Sequence, residues 1–326
     1  MSVHPLFSVT AFALLAGQSL PSETQTIGKR TANAEITDEL KLLDFQVDPS
    51  DRMTLPIELS DGRTYDFMID TGAEQSAISR EVAQQLGLSV TGARQVISFA
   101  GSSRVETVTI PFLPLAKQTH HDVDALLLGR SAIGADGLLG MDSLKDQFVT
   151  FDFKSRQMRL QKPTRYSSFS DRNTVRVDLT ERNGRMVMSD AQASGVSVDV
   201  ILDTGSGLSI GNDALRQELL RKKKLGTLEP RAMLTVTGRI VPIEYGVLRD
   251  VVIDGVEIIY MPIAFAMSEP FDSLDMADQP TLILGMDVLR SFGQISVDFA
   301  NKRAYFRGRD SSQYKPGSYW AFVDHT

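Results

Sequence analysis

The chain has 326 residues, of which 42% are hydrophobic and 23% charged, with a formal net charge of −7 and a pI near 5.2. That length suits about two domains of ~100–200 residues, each with an ordinary core. The acidic balance argues against a nucleic-acid partner, and the absence of cysteine excludes disulfides, a thiolate nucleophile and a Cys-based metal site.

The first feature along the chain is the apolar run LFSVTAFALLAG at 6–17. It has the length of a secretory h-region and is too short to span a bilayer. Gly17 and Ser19 follow at cleavage spacing, although the preceding segment has His4 and no Lys or Arg. Residues 1–22 therefore read as a signal peptide, and 23–45 as a polar leader or linker. This predicts a periplasmic or secreted protein, with a cytoplasmic location as the alternative. No later segment has the length of a transmembrane helix, so no integral membrane span is expected.

Residues 46–165 and 166–326 read as two related units. In the first, MTLPIEL (53–59) and TYDFMID (64–70) flank Asp61-Gly62, a hairpin signal. After Asp70-Thr71-Gly72, Ser79 can cap a helix to about Leu86, which Gly87 can end. RQVISFA and RVETVTI then flank Gly101-Ser102-Ser103 as a second hairpin. His120-His121-Asp122 with Asp124 reads as an exposed loop, because adjacent histidines on a strand point to opposite faces and rarely share a metal ion. The segments GLLGMDSL (137–144) and VTFDFKSRQMRL (149–160) complete this unit.

The second unit repeats these blocks in order. VILDTGSGLSIGN (200–212) matches FMIDTGAEQSAIS (67–79), LILGMDVL (282–289) matches GLLGMDSL, and ISVDFANKRAYF (295–306) matches VTFDFKSRQMRL. Asn212 or Asp213 can cap a longer helix ended by Gly226, and RAMLTV and RIVPIEY flank Thr237-Gly238. The basic run Arg221-Lys222-Lys223-Lys224 suits the negative end of that helix better than a nucleic-acid patch. Asp142 and Asp287, each after Gly-Met, read as helix caps.

An Asp-Thr-Gly turn after an apolar strand holds a carboxylate rigidly. The glycine permits the sharp turn and close approach of another backbone, and the threonine hydroxyl can bond within the turn or across to its equivalent. One such turn is a weak signal, and two at matching places in a repeat are a strong one. Brought together, Asp70 and Asp203 cannot both ionise cheaply, so one proton is shared and the pair can activate a water. The rival readings are a protein that keeps the fold and binds peptides without cutting them, and a two-carboxylate glycosidase, which nothing here places at twin Asp-Thr-Gly turns. Four histidines, two of them at the chain ends, build no Ser–His–Asp triad.

With its two apolar-Asp-Thr-Gly turns, each followed by apolar-apolar-Gly (Leu138-Leu139-Gly140 and Ile283-Leu284-Gly285), the chain resembles the aspartic peptidases, specifically their retropepsin-like branch in bacteria. The resemblance covers roughly residues 50–310. It implies a mostly β fold of two pseudo-twofold-related acid-protease lobes, closed β barrels with short helices. It implies Asp70 and Asp203 as the catalytic pair, with Thr71, Gly72, Thr204 and Gly205 supporting the turns. Ala73, Glu74 and Ser206, with the flap glycines Gly101 and Gly238, would face substrate, and Ile97, Phe99, Val236 and Ile240 are candidate pocket walls. Ala73-Glu74 follows the retroviral pattern more than the pepsin pattern, and Gly207 stands opposite Glu74, so the halves are unequal. The expected activity is endopeptidase action on a protein or peptide substrate by a monomer that needs no metal or cofactor. The alternative is an inactive pseudo-peptidase that binds peptides.

Overall fold

The computed structural model describes residues 53–115, 118–145, 147–161, 174–182, 185–266 and 269–308, and the backbone of short strands at Phe7–Ser8, Leu14–Leu15, Lys41–Asp44, Gln46–Val47 and Trp320–Phe322. Apart from such backbone pairings, the expected signal peptide and leader lie outside the described residues.

The chain is mostly β with a few short helices, as expected, and its strands form three sheets. A nine-stranded sheet draws all its strands from Leu14–Leu15 to Gly137–Leu139. A ten-stranded sheet uses strands from Thr180–Arg182 to Trp320–Phe322, with Phe7–Ser8 on one edge. The six-stranded sheet takes strands from both halves. At its centre Phe148–Asp152 pairs antiparallel with Gln294–Asp298, so that Thr150 faces Ser296 with their hydroxyls 2.9 Å apart. This arrangement of sheets is compatible with a two-lobed acid-protease fold.

Local chemistry explains the punctuation. Met53–Glu58 and Thr64–Ile69 form the first hairpin. Its turn places Gly62 at φ 73°, and Asp61 binds Arg63 N at 3.0 Å and Tyr65 Oη at 2.7 Å. Ser79 caps the helix Arg80–Gln85 by accepting from Val82 N at 3.2 Å, and Gly87 follows it at φ 65°.

Three local expectations need correction. The second hairpin joins Val90–Ser98 to Gly101–Leu115 through Phe99 and Ala100, so Gly101 opens the returning strand at φ 93° instead of forming the tip. The helix Asp213–Arg221, capped by Asn212, ends before Gly226 because Lys223 takes the left-handed conformation at φ 54°. The histidine stretch expected as a loop belongs to the strand Gln118–Leu128, where cross-strand bonds to Gly101–Leu115 outweigh its polarity.

The largest apolar core runs through both halves, from Met53 and Leu55 to Phe292 and Phe306. Two smaller clusters each reach one of the Asp-Thr-Gly turns: Met68 and Ala73 belong to one, Ile201 and Leu208 to the other.

Candidate active site

Asp70 follows the strand Thr64–Ile69, which pairs in parallel with Gly137–Leu139, and its N–H donates to Leu139 O at 3.0 Å. Asp203 follows Val196–Leu202, which pairs in parallel with Thr281–Leu284, and its N–H donates to Leu284 O at the same 3.0 Å. Each short parallel strand also pairs with the segment that returns from the turn, Ala77–Ser79 or Ile210–Gly211. The apolar-apolar-Gly blocks therefore wedge each turn open from behind. A side chain at Gly140 would meet the Gln75 backbone, and one at Gly285 would meet the Leu208 carbonyl, so both positions require glycine.

The turns are locked to each other by their threonines. Thr71 N donates to Thr204 Oγ1 at 3.1 Å, and Thr204 N donates to Thr71 Oγ1 at 3.1 Å. Each hydroxyl then donates across to the strand before the other aspartate: Thr71 Oγ1 to Leu202 O at 3.0 Å, Thr204 Oγ1 to Ile69 O at 2.9 Å. Gly72 lies against the Asp203 carboxyl and Gly205 against the Asp70 carboxyl, so a Cβ at either glycine would collide with the opposite acid.

The structure thus brings Asp70 and Asp203 together, both 0% exposed. Asp70 Oδ1 accepts from Gly72 N at 2.8 Å. Asp203 Oδ1 accepts from two amides, Gly205 N at 2.9 Å and Ser206 N at 3.1 Å. Burial pushes the Asp70 carboxyl well above the usual carboxylate range, and the charge of Asp203 pushes it further. Burial also raises Asp203, but its amide donors and Arg185 oppose the rise. The side with more donors is the better seat for negative charge.

Around this pair, Ala73 is buried with its methyl in the apolar cluster beside Asp70. Glu74 faces Arg185, whose Nη2 lies 3.9 Å from Glu74 Oε1. Arg185 belongs to the C-terminal half and is only 1% exposed. Burial lowers its pKa, while Glu74, Asp70 and Asp203 favour its charge, in that order. Ser206 is buried, and its hydroxyl donates to Leu208 O at 2.6 Å, so it holds its own loop. Gly101 pairs with Ser98 beside the tip of the second hairpin. Gly238 stands at φ 80° in the other hairpin's turn and donates to Thr235 O at 2.8 Å. Of the expected pocket walls, Phe99 and Val236 are buried, Ile97 is half-buried, and Ile240 is 61% exposed.

Asp142 and Asp287 are not helix caps. Gly140 and Gly285 occupy the cap positions without a side-chain bond. The two acids reach back to the serines after the turns: Asp142 Oδ1 accepts Ser76 Oγ at 2.7 Å, and Asp287 Oδ1 accepts Ser209 Oγ at 2.7 Å. Each serine hydroxyl in turn accepts the amide of Gly140 or Gly285, at 3.1 and 3.0 Å. Neither these braces nor the role of Arg185 is among the expectations drawn from the sequence. A signal was present: Ser76 and Ser209 stand at matching places in the first block, as Arg52-Met53 and Arg185-Met186 do just upstream of it.

Among the described residues no group of three His, Asp or Glu side chains is placed to hold a metal ion, and no helix is long and apolar enough to cross a membrane. Arg221 and Lys222 pair with Glu218 at the exposed helix end, 2.5 and 3.4 Å away.

The family described as gag-polyprotein putative aspartyl protease matches residues 59–146, a stretch that holds the Asp70 turn and its Gly140 strand. The match supports a retropepsin-like aspartic protease family, and with it a hydrolase of the peptidase class. No curated protein matches the chain.

Proposed function

We propose that the chain is an aspartic endopeptidase in which two lobes, 46–165 and 166–326, each supply one carboxylate to a single centre. The observation that carries this reading is the reciprocal threonine lock, which clamps two Asp-Thr-Gly turns together with two fully buried carboxyl groups between them. Carboxyl groups held that close share one proton. Asp203, with two amide donors, is the seat of the charge, and Asp70 keeps the proton. Asp203 takes a proton from a water held between the acids while that water's oxygen adds to the amide carbon. Asp70 gives its proton to the carbonyl oxygen. Collapse of the resulting diol breaks the C–N bond, with a proton delivered to the leaving nitrogen. No covalent intermediate, metal or cofactor takes part.

The substrate in this reading is an extended peptide held partly by strand-like backbone bonds. Glu74, anchored by Arg185, is positioned for one side of it only, because Gly207 offers no counterpart. We read the protein as a monomer exported to the periplasm or beyond.

The test is cleavage of peptides and denatured proteins at acidic and neutral pH by the wild type beside Asp70→Asn and Asp203→Asn. Each variant is expected to lose about 10²–10⁴-fold in rate, the usual worth of a general acid or base. Equal rates in either variant would end the dyad reading. Peptide binding by the wild type with no cleavage at any pH would favour the peptide-binding alternative.

A further inference from the structure

The two hairpins above the carboxylates exchange their tips. Phe99, from the N-terminal half, is 5% exposed and lies in an apolar cluster with Ile201, Leu208, Met233, Ile243 and Phe271, all from the C-terminal half. The Phe271 ring meets it edge-on, with centroids 6.2 Å apart. Val236, from the C-terminal half, is 1% exposed and lies in a cluster with Met68, Ala73, Leu126 and Ile133 of the N-terminal half. Both clusters adjoin the dyad, since Ile201 and Met68 each stand two residues before an active-site aspartate. The tips also clasp each other: Ser98 Oγ lies 3.4 Å from Thr237 Oγ1, and Arg239 Nη1 donates to Ala100 O at 2.7 Å.

A peptide therefore reaches the carboxylates only when the tips lift. Lifting them empties two apolar hollows beside the dyad, one filled at rest by a phenyl ring and the other by an isopropyl group. A loaded peptide lying across the centre would place successive side chains toward opposite halves, since extended backbone alternates its side chains. Its side chains would then replace those of the hairpins.

We propose, on the basis of the peptidase reading, that Phe99 and Val236 are built-in occupants of two substrate pockets of unequal size. The pocket of the C-terminal half selects an aromatic or large apolar side chain, and that of the N-terminal half a β-branched aliphatic one. The resting chain is closed by its own side chains, so apparent affinity is reduced by the fraction of molecules that are open.

Two experiments test this. In the first, a mixed peptide library is cleaved by the wild type and by Phe99→Ala, followed by kinetics on the best peptide. Cut sites are expected to pair a large apolar or aromatic residue with Val or Ile, and Phe99→Ala is expected to lower KM about five-fold by removing the competitor. A merely structural Phe99 would lower thermal stability without lowering KM, so an unchanged or higher KM overturns the proposal, as do cut sites without apolar residues. In the second, Ser98→Cys and Thr237→Cys are combined in a chain that has no other cysteine. The oxidised, crosslinked protein is expected to lose at least about 100-fold in kcat/KM and to recover with dithiothreitol. Equal activity in the crosslinked form overturns the proposal. If the wild type cuts nothing, the peptidase reading fails, and the pockets are then read by calorimetric titration with an apolar peptide carrying a hydroxyethylene isostere. Tighter binding by Phe99→Ala supports the pockets, and unchanged binding rejects them.

Discussion

The turns at Asp70 and Asp203 share a backbone and differ in chemistry. Strand pairing, threonine lock, glycine contacts and the serine–aspartate brace recur on both sides with nearly the same distances. What differs lies immediately after the glycine. Ser206 lends its amide to the Asp203 carboxyl, whereas the Ala73 amide donates to the Asp70 backbone carbonyl at 3.4 Å, and Ala73 is followed by Glu74, which faces Arg185. A symmetric scaffold fixes where two acids meet, and a few asymmetric contacts give the Asp203 carboxyl more amide donors than the Asp70 carboxyl. The shared part should respond equally to substitution on either side, and the unshared part should not.

The largest effect tests the shared part. Thr71→Val removes the acceptor of Thr204 N and the donor to Leu202 O. Thr204→Val removes the acceptor of Thr71 N and the donor to Ile69 O. Each leaves one buried amide and one buried carbonyl without these partners, a cost of about 2–4 kcal/mol. The two variants should agree to within about 1 kcal/mol by urea denaturation at constant m. A loss under about 0.5 kcal/mol for one alone would show that the lock is carried from one side.

A smaller effect tests the unshared part. Arg185 favours the ionised forms of both Asp70 and Asp203. Arg185→Met keeps much of the buried stem and removes the charge, so both acids hold their protons to higher pH. Both limbs of the pH–rate profile should move to higher pH, whereas Arg185→Lys should retain most of the wild-type profile. A profile that only loses height would make Arg185 a packing residue.

These two tests also separate what was legible in the sequence from what was not. The Asp-Thr-Gly turns, the glycines behind them, the first hairpin and the Ser79 cap were legible because each depends on residues within a few positions: a positive φ, a capping hydroxyl, an apolar strand. Arg185 was not, because its ion-pair partner Glu74 comes from the other half of the chain and only tertiary packing buries it beside both aspartates. Asp142 and Asp287 looked like caps because capping is the local use of an acid there, whereas their serines lie 66 and 78 positions away. Phe99 and Val236 were recognised as apolar and near the cleft, but their exchange between halves depends on how two hairpins cross, which no local pattern encodes. The tip of the second hairpin lies at Phe99 and Ala100, not at Gly101, because Gly101 has the look of a turn residue and serves as the first residue of the returning strand.

The smallest expected effect concerns the brace on the C-terminal side. Asp287 accepts Ser209 N at 3.0 Å and Ser209 Oγ at 2.7 Å, yet burial lifts its carboxyl to about 7, against an ordinary 3.8. A folded-state value above the unfolded one means that the folded chain binds this proton more tightly. The stabilisation is therefore complete below about pH 4 and is lost as pH rises through 7. Part of the residue reaches solvent, which limits the contribution to about 1–3 kcal/mol. Asp287→Asn keeps the shape and an acceptor for Ser209 while removing the titration. Denaturation of both proteins at pH 5 and pH 8 should show the wild type losing about 1–3 kcal/mol more than the variant across that interval. Equal losses would mean that Asp287 is ionised in the folded chain throughout, and the Ser209 brace would then be a charge-assisted one.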